Sequence, residues 1–438
     1  MNSTRRLSPR AACPVAVVLA LTGACTPSDA PPPEPAEAEA AAPASVSSDP
    51  LERANALLAE TPLVDTHNDL PWVIREKAAG DVENFDISAR AAYDTDLPRL
   101  RAGGVGTQFW SVYVPSPFEP LDAVRAQLEQ IDIARRIIAL YPDDLGLALS
   151  VADIERERDA GRIASLLGIE GGHTIVNSLG ALRAFYDLGV RYMTLTHFNS
   201  TDWADAATEP ARYGGLTTFG EEVVREMNRL GMLVDISHVS PGTMSDVLEV
   251  TQSPVIFSHS STRALTDHVR NVPDSILARM PDNGGVVMVT FVPPFISEEA
   301  RIWGEGLFPQ IAAASSDEEW QRITREYIAE HGEAPRATLA DVADHIEHVV
   351  GVAGIEHVGI GADFYGAETD SDLVQGLEDV SKYPDLFAEL IGRGWSDEDL
   401  RKLARGNILR VFAEAEDVSA RLKLELSPSL ATIDGLDR

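Results

Sequence analysis

The chain has 438 residues, 44% of them hydrophobic, which is enough for one large domain or two ordinary ones and excludes a mainly disordered protein. Its formal charge is −33 and no Lys/Arg-rich block follows residue 10, so the electrostatic footprint that nucleic acid requires is missing. Cys13 and Cys25 are the only cysteines, so everything after residue 25 lacks the thiols for a disulfide, a cysteine-type zinc site or a cysteine nucleophile.

The first segment, "MNSTRRLSPRAACPVAVVLALTGACTPSDAPPPEP", has a basic start (Arg5, Arg6, Arg10), an apolar stretch too short to read as a membrane span, and small residues before Cys25. This pattern predicts an export signal over residues 1–25. "LTGAC" resembles the lipobox of bacterial lipoproteins, which implies a lipid on Cys25 as the only membrane attachment; an ordinary cleaved signal peptide is the alternative. Residues 26–50 are rich in Pro, Ala and Glu and read as a disordered tether. The expected location is the bacterial cell envelope, facing the periplasm or the exterior. A folded domain is expected over 51–415, followed by a tail over 416–438.

Past residue 51, short β-rich apolar runs alternate with longer helical patterns. The runs cover 63–70, 105–114, 164–172, 190–197, 233–239, 254–260, 285–291 and 357–364, with helical spacing over 121–141, 219–231 and 339–354 among others. Eight strands with intervening helices predict an α/β fold, a (β/α)₈ TIM-type barrel, with an open doubly wound sheet as the alternative. No GxGxxG or GxxxxGK[ST] follows a strand. Residues 298–336 form a helical insertion between the seventh and eighth strands, a peripheral excursion or partial lid, and 372–415 form a helical C-terminal cap in which "SDED" after Trp395 starts a helix.

Polar residues gather where those strands end. His67 and Asp69 stand two apart in the first run, on one face if the chain is extended there. Glu170 ends the third run, His197 the fourth, His238 and His259 close the fifth and sixth, and Asp363 the eighth. Barrel active sites form at that rim, so these groups are expected to converge. Imidazoles and carboxylates without thiolate suit Zn²⁺, with Mn²⁺ or Co²⁺ less suited. A central carboxylate allows two ions: His67, Asp69 and Glu170 on one, Glu170, His238 and His259 on the other, with a shared activated hydroxide that makes the chemistry hydrolytic. His331, His345, His348 and His357 lie in helical or pre-strand stretches and read as solvated or structural, as does His268 in a loop. His173 follows a glycine pair beside the ligands, and Asp65 is expected to share the face of His67 and orient a ligand imidazole.

In order, "DTHNDLPW", "GIEGGH", "YMTLTHFNSTDWAD", "VDISHVS", "PVIFSHSS", "RNVPD", "VGIGADFYG" and "GLEDVSKYPDLFAEL" resemble landmarks of the membrane (renal) dipeptidase family of zinc peptidases, over residues 52–414. The resemblance implies a barrel with two zinc ions, the first held by His67 and Asp69, the second by His238 and His259, and Glu170 bridging them. It implies that His197 stabilises the developing oxyanion, that Arg270 grips the substrate's terminal carboxylate, and that Asp363 relays the proton to the leaving amine. L-Xaa-Xaa dipeptides are the implied substrates, with a D-residue tolerated at the second position, and a homodimer the implied assembly. Two other readings remain: a metal-dependent amidase or lactonase, whose usual first-strand HxH and strand-four lysine are missing here, and a metal-free envelope binding protein. "FVPPFI" stands where the mammalian members have a more polar stretch.

Overall fold

The computed structural model describes residues 48–116, 119–311, 314, 316–367 and 372–437. The expected signal peptide and nearly all of the expected tether lie outside those residues. Among the described residues there are nine parallel strands: β1 (Leu63–Asn68), β2 (Val105–Ser111), β3 (Leu145–Leu147), β4 (Ile163–Glu170), β5 (Val190–Thr194), β6 (Leu233–Asp235), β7 (Ile256–Phe257), β8 (Val286–Val289) and β9 (Val358–Ile360). Their order is β2-β1-β9-β8-β7-β6-β5-β4, and β2 also pairs with β4, so eight strands close into a barrel. The fold is the α/β (β/α)₈ barrel expected from the sequence.

β3 was not legible. It pairs only with Ile163–Ser165 at the start of β4, the edge whose later part β5 takes from Leu167 onward. Three residues are too few to show a period.

Alternation along β4 sets up the interior. Ala164 and Leu166 join Val64, Phe109, Tyr192, Leu233, Ile256, Val286 and Met288 in a core inside the barrel, while Ile163, Leu167 and Ile169 belong to the larger core beneath the helices. By the same parity Gly168 and Glu170 face inward, Gly168 beside the Tyr192 ring and Glu170 at the rim. The helix Asn407–Glu425 adds Ile408, Val411, Phe412 and Ala415 to the inner core. That helix runs through residue 415, where the sequence suggested the domain would end. Beyond it the chain packs back rather than trailing off: Ile433 is buried, and the Asp437 carboxylate accepts from the amides of Thr218 and Phe219 at 3.1 and 3.0 Å, at the start of the helix Thr218–Leu230.

The insertion is helical as expected, with Glu298–Ile311 and Asp317–His331 joined by a Tyr327 hydroxyl donating to the Trp303 carbonyl at 3.1 Å. Glu298 ties its start to the preceding loop by accepting from the Asp267 amide at 3.0 Å. In the C-terminal cap Ser396 accepts from the Asp399 amide at 3.1 Å and starts the helix Asp397–Arg401. Among the described residues no helix is long and apolar enough to cross a membrane.

A Cβ at Gly168 would sit 1.9 Å from Cζ of the fully buried Tyr192. Gly168→Ala is therefore expected to lower stability by about 1–3 kcal/mol through overpacking, measurable as a lower denaturant midpoint. An unchanged midpoint would mean that the ring moves aside freely.

Candidate metal centre

Every site residue predicted from the sequence sits at the C-terminal rim of the barrel. His67 is in β1 and Asp69 follows it as the residue before the helix Leu70–Ala78. Glu170 is the last residue of β4, and Gly171 follows at φ +113°, a conformation an L side chain rarely adopts. His197, His238, His259 and Asp363 lie two or three residues past β5, β6, β7 and β9, and Arg270 is in the loop after β7. The observed strands are shorter than the apolar runs because their last residues leave the ladder. His238 and Asp363 do so at φ +66° and +65°, strained values for non-glycine residues.

Glu170 is the hub. Its Oε2 lies 3.6 Å from Nε2 of His67, and its Oε1 lies 2.9, 3.2 and 3.7 Å from Nε2 of His238, His259 and His197. On the Oε2 side, His67 Nε2 is also 3.7 Å from Asp69 Oδ1 and 3.7 Å from Asp363 Oδ1. The two oxygens thus address two sets of donors. Three overlapping groups have ligand atoms close enough for a cation: His67, Glu170 and His259; Glu170, His197 and His238; His67, Asp69 and Asp363. The cluster draws together the groups the sequence divided between two ions, with His197 as a further neighbour of the second set.

The donor set fits a metal on its own geometry. His67 Nε2 and Asp69 Oδ1 are buried without a hydrogen-bond partner. His238 Nε2 and His259 Nε2 face each other at 2.9 Å, a distance that two lone pairs tolerate only with a proton or a cation to share. Although burial opposes its charge, the carboxylates of Glu170, Asp69 and Asp363 push the His67 imidazole up to about 10. Burial likewise opposes the charge on Glu170, but His67 and His197 win and hold it well below the usual carboxylate range. Burial lowers His238 and His259 well below the ordinary imidazole value, so both are neutral donors at pH 7. Nitrogen and oxygen ligands without thiolate suit a borderline divalent cation.

The membrane dipeptidase family model (peptidase family M19) matches residues 51–426. The chain belongs to that family. As a member it is a metallo-dipeptidase. It is 41% identical to dipeptidase 3 of Mus musculus over 372 residues, covering 84% of this chain and 67% of that protein. Two solved structures share its fold. One, described as the probable dipeptidase PvdM of Pseudomonas aeruginosa, has a TM-score of 0.74 at 24% identity, covering 84% of this chain and 99% of that one. The other, a metallopeptidase of Rhodobacter sphaeroides liganded with a phosphinate mimic of L-Ala-D-Ala, has a TM-score of 0.67 at 23% identity, covering 81% and 99%.

Asp65 does not do in this dipeptidase what the sequence suggested. The register between β1 and β2 shifts between Asp65 and Asn68, which breaks the alternation and puts Asp65 and the His67 ring on different faces. Asp65 accepts instead from the Ala362 amide after β9, the Tyr383 hydroxyl and the Gln108 side-chain amide of β2 at 3.0, 2.8 and 3.1 Å, and it holds His67 through that residue's backbone amide, at 3.2 Å, rather than through its ring. Both ring nitrogens of His173 are buried without a partner, and burial, helped by the nearby His197, lowers it to about 4. His345 and His357 bond the carbonyls of Ile296 and Gly285 and are structural, as read; His348 pairs with Asp274 at the surface. His268 accepts from the Arg270 amide at 3.1 Å and so shapes that residue's loop.

Sequence reasoning missed the supports behind the ligands. The Tyr192 hydroxyl is 2.8 Å from His67 Nδ1, and the Ser258 hydroxyl is 2.8 Å from His259 Nδ1 and 2.5 Å from Asp235 Oδ2. Strand parity alone could have turned Tyr192 inward, and Ser258 adjoins a ligand. Tyr113 and Phe198 both pack on His197, with ring centroids 4.9 and 4.2 Å away.

Cation binding to the metal-free enzyme must expel the proton that His67 holds up to about pH 10. Affinity for Zn²⁺ is therefore expected to rise with pH below that value, about tenfold per unit for one proton, and to level off above it. Calorimetric titration in buffers of different ionisation heat reads the released proton. A pH-independent affinity with no proton release would remove His67 from the ligand set.

Proposed function

We propose that this chain is a zinc-dependent dipeptidase that hydrolyses L-Xaa-Xaa dipeptides and tolerates a D-residue at the second position. The observation that carries the dipeptide reading is Arg270. Its side chain is 1% exposed, and among the described residues no carboxylate lies within ion-pairing distance. Its guanidinium donates weakly to Ser260 Oγ at 3.4 Å and to the His259 carbonyl at 3.2 Å, and its Nε has no partner. Burial lowers it to about 10, still charged at pH 7. A buried, charged, planar fork without an anion is costly unless one arrives, and a terminal carboxylate matches it in charge and shape. The phosphinate mimic of L-Ala-D-Ala on the Rhodobacter sphaeroides protein supports a small dipeptide and a D-residue in the second place.

The residues divide the work around that anchor. His67, Asp69, Glu170, His238 and His259 would hold two Zn²⁺ ions, with Glu170 shared. When bound, the cations acidify a water and polarise the scissile carbonyl. His197, which burial lowers to about 4, is a neutral donor that can hydrogen-bond the developing oxyanion. Burial pushes the Asp363 carboxyl up to about 6, with Glu170 adding and His67 opposing. It is thus poised to take a proton from the attacking water and deliver it to the leaving nitrogen. The first set of supports for a bacterial, exported and lipid-tethered enzyme is the N-terminal pattern ending at Cys25 with its Pro/Ala/Glu-rich sequel; homodimer formation rests on the family resemblance.

Arg270→Met is expected to lower kcat/KM on a free dipeptide by at least about 30-fold, the loss of about 2–5 kcal/mol for a truncated buried charge pair. It leaves the much slower cleavage of the corresponding dipeptide amide unchanged. If the unaltered enzyme cleaves dipeptide and amide equally well, the carboxylate anchor is wrong. Asp363→Asn and His197→Ala are each expected to reduce kcat about 10²–10⁴-fold while zinc content stays near that of the parent. Retention of full turnover in either variant would take that residue out of the mechanism.

A further inference from the structure

The three histidines of the two ligand sets differ in what fixes their orientation. His67 Nδ1 meets the Tyr192 hydroxyl and His259 Nδ1 the Ser258 hydroxyl, both at 2.8 Å. His238 Nδ1 is buried and has no hydrogen-bond partner among the described residues. A ligand imidazole is ordinarily aimed by a bond to the nitrogen that faces away from the cation. His238 has none, and its backbone stands at φ +66°, a value that a non-glycine residue keeps only where its surroundings over-determine it. A neighbouring loop does so.

Asp205 builds that loop. Its side chain is fully buried, and its carboxylate accepts from four successive backbone amides: Arg212 and Tyr213 at 2.9 and 3.2 Å on Oδ1, Gly214 and Gly215 at 2.8 and 3.1 Å on Oδ2. Successive amides turned inward form a concave seat for an anion, and here the anion is a side chain of the same loop. The Asp205 amide closes the ring by donating to the Gly215 carbonyl at 3.2 Å. Held in this way, residues 205–207 run antiparallel to 238–240, with Ala206 opposite Val239. Two bonds flank that pair: the Ala207 amide donates to the His238 carbonyl at 2.7 Å, and the Ser240 amide donates to the Asp205 carbonyl at 2.9 Å. The Thr243 hydroxyl also donates to the Asp205 carbonyl, at 2.9 Å. The backbone that follows the His238 side chain is thereby fastened to the residue whose carboxylate organises the loop.

We propose that Asp205 is a positioning residue for the second ion. It folds the 205–215 loop into a clamp that keeps His238 in its left-handed conformation and so aims Nε2 at Glu170 Oε1, 2.9 Å away, in place of a bond at Nδ1. This rests on the reading that His238 and Glu170 share an ion. Because His67 has its own hydroxyl partner, the clamp serves the second ligand set and not the first. Asparagine cannot replace Asp205: it offers one acceptor oxygen, and its NH₂ would point donors at amides that are themselves donors.

The test uses the purified full chain, stripped by chelator. Competition against a chromophoric chelator reads the affinity of each zinc equivalent, and His238→Ala identifies the second. Asp205→Asn is expected to weaken that equivalent about 10–100-fold and to leave the other unchanged. Asp437→Ala, which removes the acceptor for the amides of Thr218 and Phe219, is expected to lower the denaturant midpoint and change neither affinity, separating lost stability from lost positioning. In the metal-free chain, hydrogen exchange is expected to show the amides of Ala207, Ser240 and residues 212–215 protected together in the parent and all faster in Asp205→Asn, with the Ser260 amide unaltered. If Asp205→Asn spares the second equivalent, weakens both alike, or leaves Ala207 and Ser240 protected, the proposal is overturned. Should that variant not fold, Ala207→Pro, which removes the donor to the His238 carbonyl, decides: an unweakened second equivalent overturns the clamp. A parent that binds no zinc would instead refute the metal-centre reading, and the exchange rates alone would then judge the clamp.

Discussion

The structure depends on one buried carboxylate that has imidazoles on both sides. Glu170 is 5% exposed and stands within 4 Å of four histidines, with Asp69 and Asp363 close by the first of them. Removing so many ionisable groups from water costs several kcal/mol per charge, which attraction offsets only where the geometry is close and the remaining lone pairs are engaged. Such a cluster is stable as a cation-binding centre and poor as a protein core. The polar supports behind it keep that cost down, with Ser258, Asp235 and Asp65 each satisfied by several hydrogen bonds.

A parallel barrel suits that constraint. Six strands, β1, β4, β5, β6, β7 and β9, deliver site residues to a common rim from different parts of the chain, while the apolar residues below fill the interior and exclude water. The last residues of several strands must leave the hydrogen-bonded ladder to turn side chains inward. His238 and Asp363 show the strain of that turn, at φ values that glycine would adopt more easily. Rigid strands below and irregular segments above thus divide the tasks of positioning and contact. Arg270 follows the same division: its loop is shaped by His268, and its ring contact with Phe295, 5.4 Å from the guanidinium carbon, keeps the fork in place.

Reading the chain in one dimension worked where periodicity and residue type carry the information. The alternation of apolar runs with helical patterns specified the barrel, and the end of each run marked the rim. It worked less well where a local irregularity decides. The register shift after Asp65 turned an expected imidazole partner into a clamp on the Ala362 amide, β3 was too short to announce itself, and the helix Asn407–Glu425 ignored the expected domain end. The first depends on a single extra residue in a strand and a partner hundreds of residues away, the second on a strand of three residues, and the third on packing against distant parts of the chain, none of which leaves a period in the sequence.

By itself, then, the sequence determined the fold class, the absence of thiol chemistry beyond residue 25, and the set of polar residues at the strand ends, because these follow from spacing and composition. Tertiary structure decided which oxygen of Glu170 faces which histidine, left the Arg270 fork buried with no ion-pair partner among the described residues, and set Ser258 between His259 and Asp235. Those outcomes are set by distances of 3–4 Å between residues far apart in the chain, and electrostatic and hydrogen-bond energies at that range depend on closure of the barrel rather than on any local pattern.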